Sequence, residues 1–207
     1  MSEYPVQFSV AYPDRELNRL TTFFRIFVAI PILIVLGLVD GHESYAAARH
    51  GWSLAVGAGG LVVFAPLVMI VFRQKYPRWW FDWNLQLQRF SARVAVFLAL
   101  MDDTYPSTDE EQSVRLTFPY PDVPNDLNRW LPLVKWLLAI PHYVILVFLT
   151  LAGLVSVIVA WFAILFTGRY PRGLFDFVEG VLRWWNRVIA YAFVLVTDEY
   201  PPFSLSA

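Results

Sequence analysis

Hydrophobic positions follow two patterns along this chain. Val6, Phe8 and Val10 alternate with Gln7 and Ser9, and Val114, Leu116 and Phe118 alternate with Arg115 and Thr117. Alternation with period two predicts two half-buried strands. The second pattern is long apolar runs. Residues 20–39 are apolar except for Thr21, Thr22 and Arg25, residues 51–72 carry no charge, and residues 136–168 carry none over 33 positions. A membrane helix needs about 20 apolar residues to cross about 30 Å of hydrocarbon. The last run would make a helix near 50 Å long, more than one span needs and slightly less than two need. It therefore predicts a tight hairpin turning near Thr150 and Gly153, with a short and re-entrant second arm. A single, steeply tilted span is the alternative. Arg25 lies near the start of its run, where a long side chain can snorkel to the headgroups.

Each uncharged region is followed by an amphipathic stretch. Asp176, Glu179, Arg183, Asn186 and Arg187 recur every three or four residues, with Phe175, Phe177, Leu182, Trp184, Trp185 and Val188 on the other faces. Asp82, Gln86, Arg89 and Arg93 form the matching stripe earlier, among Trp79, Trp80, Phe81, Trp83, Leu85 and Phe90. Such helices can lie in the interface plane with their tryptophans at headgroup level. Alternatively they pack on the apolar helices and their charges pair within the protein. Asp176 and Arg183 are two turns apart, so Asp176 is expected to reach a different element.

The two halves also repeat one another. Tyr12-Pro13-Asp14 recurs as Tyr120-Pro121-Asp122, Leu17-Asn18-Arg19 as Leu127-Asn128-Arg129, and Ala29-Ile30-Pro31 as Ala139-Ile140-Pro141. Beyond the apolar runs, Tyr76-Pro77-Arg78 recurs as Tyr170-Pro171-Arg172 and Phe81-Asp82 as Phe175-Asp176. Arg89 matches Arg183, Arg93 matches Arg187, Asp103 matches Asp198, and Tyr105-Pro106 matches Tyr200-Pro201. The order is preserved throughout, which argues for an internal duplication. The expected fold is therefore a mainly α integral membrane protein of two tandem repeats. Each repeat holds a short strand, a transmembrane helical hairpin and an amphipathic interfacial helix. Repeat 1 covers residues 1–106, with its hairpin at about 20–72 and interfacial helix at about 78–101. Repeat 2 covers 107–207, with the corresponding parts at about 130–168 and 173–197. The related strands could pair across a pseudo-twofold axis.

Composition supports a lipid-facing protein. The chain is 57% hydrophobic and 16% charged, with a net charge of −1; soluble domains carry about 25% charged residues. No basic excess points to nucleic acid. The chain has no cysteine, which excludes disulfides, thiolate metal sites and cysteine nucleophiles. Residues 1–13 lack the basic and then apolar pattern of a cleavable signal peptide. Among residues 40–50 the basic residue is Arg49. With two hairpins, every other Lys and Arg falls on the opposite side, which predicts a multi-pass protein with both termini cytoplasmic.

The string Ala139-Ile140-Pro141-His142, then residues 166–177 reading FTGRYPRGLFDF, then Arg183-Trp184, Arg187-Val188 and the closing TDEYPPF of residues 197–203, resembles the prokaryotic membrane family catalogued as domain of unknown function 4389. The resemblance extends over the chain as two units. Repeat 1 departs from it where Trp79-Trp80 replaces Gly173-Leu174 and Ser107 replaces Pro202. It implies a multi-span protein of a prokaryotic cytoplasmic membrane and carries over no catalytic residue.

Candidate chemistry is sparse. His42 and His50 sit near Asp40 and Glu43 in a polar loop, a weak metal pattern read as solvated loop. Gly57, Gly59 and Gly60 read as close helix packing. Pro31 and Pro141 each remove an amide donor inside an apolar helix and read as packing kinks. His142 lies within an apolar run, where it could bond a freed carbonyl or bind a cofactor, and Ile32 stands at its place in repeat 1. The acidic linker of Asp102, Asp103, Asp109, Glu110 and Glu111 reads as solvated. No catalytic residue, metal or cofactor is expected. The expected function is a non-enzymatic scaffold or accessory subunit of a membrane assembly, with membrane lipids and other membrane subunits as partners. One alternative is lipid binding or transport through Trp79, Trp80, Asp82, Arg89, Arg93, Asp176, Arg183, Trp184, Trp185 and Arg187. Another is a cofactor-binding subunit using His142.

Overall fold

The computed structural model describes residues 4–40 and 58–206. The predicted strands form and pair. β1 (Gln7–Val10) runs antiparallel to β2 (Val114–Thr117), with Phe8 opposite Leu116 and Val10 opposite Val114. Val6, Phe8, Val10, Val114, Leu116 and Phe118 point into the core, while Ser9, Arg115 and Thr117 face outward. The alternation thus gives the ribbon one packed face and one wet face.

The rest is helical. α1 (Arg19–Phe23) and α2 (Arg25–Asp40) follow β1, then α3 (Ala58–Arg73) and the long α4 (Arg78–Leu98). After β2 come α5 (Val123–Asp126), α6 (Pro132–Leu138), α7 (Ile140–Thr167) and α8 (Arg172–Ile189), which continues into a π-helical turn, Ala190–Val194. Asn18 caps α1 by accepting from the Leu20 and Thr21 amides at 2.9 and 3.2 Å, and Asn128 accepts from the Trp130 amide at 2.9 Å. A side-chain oxygen here satisfies amides that have no partner in the first turn. α7 ends at Gly168, whose φ of +75° favours glycine, and the Gly168 amide donates to Ile164 at 2.7 Å.

Three layers result. The ribbon packs on α4 and α8; α2 packs on α4 through Ala29, Ile32, Phe90, Val94 and Phe97; and α7 packs on α8. α8 follows α7 as an antiparallel neighbour, with Trp184 at His142 and Trp185 at Thr150.

The structure corrects several expectations. No turn occurs near Thr150 and Gly153, because α7 is one continuous helix of 28 residues. A threonine and an isolated glycine do not break a helix whose neighbours all favour burial, and no proline stands there. The second hairpin at about 130–168 is therefore absent, and its residues form α6 and α7. Pro141 is not an internal kink. It lies in the first turn of α7, where its missing amide costs nothing, whereas Pro31 is inside α2. The amphipathic stretches of about 78–101 and 173–197 form α4 and α8, and most of α8 beyond Asp176 is covered by the rest of the chain. Arg25 does not snorkel outward: it is 3% exposed and donates to the Asp102 carbonyl at 2.9 Å. His42, His50, Glu43 and Gly57 lie outside the described residues; Gly59 and Gly60 lie in the first turn of α3.

Candidate functional site

The arginines of the two stripes turn toward the ribbon, where they meet backbone carbonyls. Arg89 donates through Nε to the Leu116 carbonyl at 2.9 Å, and Arg183 donates through Nε to the Phe8 carbonyl at 2.9 Å. Arg183 also donates to Glu179 at 2.5 Å and to the Leu205 carbonyl at 2.8 Å, and Glu179 accepts from the Val10 amide at 3.2 Å. Arg93 donates to the Ser107 carbonyl at 2.7 Å and Arg187 to that of Ser204 at 3.4 Å. Gly180 makes room for the C-terminal segment: a Cβ there would lie 2.9 Å from that of Leu205. The outer acids do not bridge to other elements. Asp176 pairs with Arg172 at 3.7 Å and Asp82 with Arg78 at 3.5 Å, both as exposed i,i+4 pairs.

Contacts recur in pairs at the ribbon ends. The Tyr12 hydroxyl donates to the Tyr170 carbonyl and that of Tyr120 to the Tyr76 carbonyl, both at 2.5 Å. Arg172 stacks over Tyr12 and Arg78 over Tyr120. A buried cation sits under each half. Arg25 lies 4.0 Å from the Phe97 ring centroid, and Lys135, fully buried, donates to the Thr197 carbonyl at 2.6 Å and pairs with Asp198 at 2.7 Å. Two of the linker acids are structural as well. Asp102 accepts from Ser113 at 2.6 Å, and Asp103 accepts from the Asn18 amide at 3.0 Å and from Arg15. Lys135 could have been noticed in the sequence, because it stands seven residues after Asn128, as Arg25 does after Asn18, and immediately precedes the uncharged run.

His142 is a core histidine. It is fully buried, accepts from Trp184 Nε1 at Nδ1 (3.0 Å) and stacks on Phe203 with centroids 4.1 Å apart. Its Nε2 is buried without a hydrogen-bond partner. Among the described residues no group of three metal-ligating side chains converges. Trp185 donates to the Thr150 hydroxyl at 2.9 Å. Trp79 is exposed beside Trp80, their ring centroids 4.8 Å apart, at the start of α4.

Two further surfaces stand out among the described residues. One is apolar: Val144, Phe148, Leu151, Val155, Phe162 and Phe166 lie exposed along α7, and Ile26, Phe27, Ile30 and Ile34 along α2. Among the described residues α7 is the one helix long and apolar enough to cross a membrane, and only 17% of its most apolar window is buried, unlike the core helix of a soluble domain. The other is a cleft of about 480 Å³ beside β2, lined by Arg89, Arg93, Arg115, Glu111 and Gln112.

No curated protein and no solved structure matches the chain. Residues 130–204, from the Trp130 that follows the Asn128 cap to the tail that lies on Arg187, match the family model described as Domain of unknown function (DUF4389).

Proposed function

We propose that this is a non-enzymatic membrane protein, built from two copies of one unit about a pseudo-twofold axis, that serves as a scaffold or accessory subunit of a membrane assembly. The observation that carries the reading is the layer order. Apolar side chains are exposed along the whole of α7 and on α2, α8 and α4 cover the opposite side, and the polar face of the ribbon lies beyond them. Membrane-depth helices with one flank covered by protein offer the other flank to lipid or to a partner's helices.

The same order argues against two crossing hairpins. An antiparallel ribbon has its twofold axis normal to the sheet, which puts α2 and α7 at the same depth on one side. α7 is about 42 Å long and would need a tilt near 45° to fit about 30 Å of hydrocarbon, beyond the usual range. Crossing would also bring Arg115 and the ribbon's wet face to bilayer depth. We therefore place α2, α3 and α7 along one leaflet, with the ribbon on the side rich in Lys and Arg, the cytoplasmic one.

The absence of cysteine allows a direct test. Asn125→Cys precedes α6 and α7, and Arg169→Cys follows α7. In sealed native membrane vesicles a membrane-impermeant maleimide should label both from the same side. Labelling from opposite sides would overturn the in-plane arrangement in favour of a span. The subunit role is tested separately by crosslinking before native purification. Discrete partner bands crosslinked through α7 are expected, and a lone monomer would sink the role.

A further inference from the structure

The two halves treat their paired arginines differently. Around Arg183, the acceptors are supplied from within: the Glu179 carboxylate, which also takes the Val10 amide, and the carbonyls of Leu205 and, through Arg187, Ser204. Around Arg89 the position of Glu179 is held by Leu85, and the chain after Ser107 leaves an open cleft instead of filling it. Three guanidinium groups border that cleft. Arg89 is held by the Leu116 carbonyl through Nε. Arg93 is 7% exposed, gives one bond to the Ser107 carbonyl and has a buried Nε with no hydrogen-bond partner. Arg115 stands on the wet face of β2. Among the described residues none of the three forms an ion pair with a carboxylate, and the acid on the cleft wall is Glu111.

We propose that the cleft of Arg89, Arg93 and Arg115 binds a phosphate group. Fixed guanidinium forks match tetrahedral oxyanions, and a half-buried site strengthens each charge-assisted bond. Glu179 shows the chemistry this environment holds, because its carboxylate spans an arginine and a strand amide in the filled counterpart. Burial and the neighbouring Arg89 both work against the charge on Arg93, only partly offset by Asp109 and Glu111, so an arriving anion relieves a standing cost. The cavity holds several times the volume of a water molecule, enough for a phosphate and part of what carries it. A soluble phosphate ester and an anionic lipid headgroup share this chemistry. Glu179 as stand-in rests on the two-copy reading; the cleft itself does not.

The test uses the full chain in phosphatidylcholine nanodiscs. Inorganic phosphate is titrated at constant ionic strength while the thermal midpoint is followed, and in a second arm retention of phosphatidylglycerol is read by native mass spectrometry. Ligand binding to the folded state raises the midpoint with concentration. Arg115→Gln, an exposed change, should weaken the response about tenfold. Leu85→Glu should supply the missing carboxylate, raise the midpoint without phosphate and flatten the titration. A phosphate response lost in the variants supports the site with a soluble ligand. Phosphatidylglycerol retention lost in the same variants, without a phosphate response, supports it with a headgroup. No response in either arm, or one unchanged in Arg115→Gln, overturns the proposal. Because Arg115→Gln stands alone, a failure of Leu85→Glu to fold leaves the test intact.

Discussion

Phe8 and Leu116 face each other across the ribbon, and on the proposed two-copy reading they are equivalent residues. Their carbonyls receive Arg183 and Arg89, each arriving from the other half of the chain. Each half is thus tied to its partner's strand. A hydrogen bond from a charged donor contributes about 1.5–3 kcal/mol. Arg89→Met should cost toward the low end. Arg183→Met should cost about 3 kcal/mol or more, because it also strands Glu179 and the Leu205 carbonyl. At roughly 2–4 °C per kcal/mol for a chain of this size, thermal midpoints in nanodiscs should fall for both, and further for Arg183. Equal losses would mean that the extra acceptors contribute nothing.

Lys135 is held in the core by the Thr197 carbonyl, Asp198 and the Tyr191 ring. Removing one member of a buried pair leaves the other uncompensated and costs about 3–5 kcal/mol. Asp198→Asn should therefore be strongly destabilising, whereas Lys135→Met with Asp198→Asn should recover part of the loss. A thermal-melt double-mutant cycle reads this. A simple sum of the single effects would show that the two groups are not coupled.

Much of this arrangement was legible in the sequence. The period-two segments predicted both strands, and their likeness predicted that they pair. The stripes of Arg89, Arg93, Arg183 and Arg187 predicted polar helix faces. They did not say what those faces meet, since ribbon carbonyls and lipid phosphates both accept from arginine. The length of the uncharged run misled: 33 residues suggested a hairpin, but the helical break falls at Ala139, just ahead of Pro141, and the rest is one helix. His142 looked costly at membrane depth; Trp184 and Phe203, far along the chain, pack against it, while its Nε2 has no hydrogen-bond partner.

On the two-copy reading the second copy carries one more residue than the first between the Arg93 and Asp103 equivalents, and the π-helical turn Ala190–Val194 is where it fits. Both halves leave their helix through a leucine at positive φ, Leu100 at 62° and Leu195 at 61°. A π-turn absorbs an added residue without turning the rest of the helix. Deleting Ala192 should therefore give a folded protein with a regular helix, whereas deleting Val181 from α8 should abolish folding by rotating Arg183 off the ribbon and Arg187 off the Ser204 carbonyl. Expression and monodispersity after detergent extraction distinguish the two; equal failure would mean the turn is needed for more than register.

On the two-copy reading, His142→Ile places the first copy's residue, Ile32, in the core of the second. It deprives Trp184 Nε1 of its acceptor, a loss of about 1 kcal/mol. The thermal midpoint should fall by a few degrees, Trp184 emission should shift, and the absorbance spectrum of the purified protein should not change. Loss of a visible band in the variant would reinstate a cofactor role for His142.

Asp102 couples the linker to acid stability. Burial pushes its carboxyl up, but the Ser113 hydroxyl, the Thr104 amide and hydroxyl, and Arg15 outweigh that and hold it below the ordinary carboxylate value. Its charged form is therefore favoured by folding. The unfolded chain takes up the proton first as pH falls, so the stabilisation is complete above the ordinary carboxylate value near 4 and is lost as pH drops through the lower folded value. Asp102→Asn should lower stability at neutral pH and flatten the decline below about pH 4. Denaturation midpoints between pH 3 and 7 check this. A variant whose acid decline is as steep as that of the native chain would place the responsible carboxylate elsewhere.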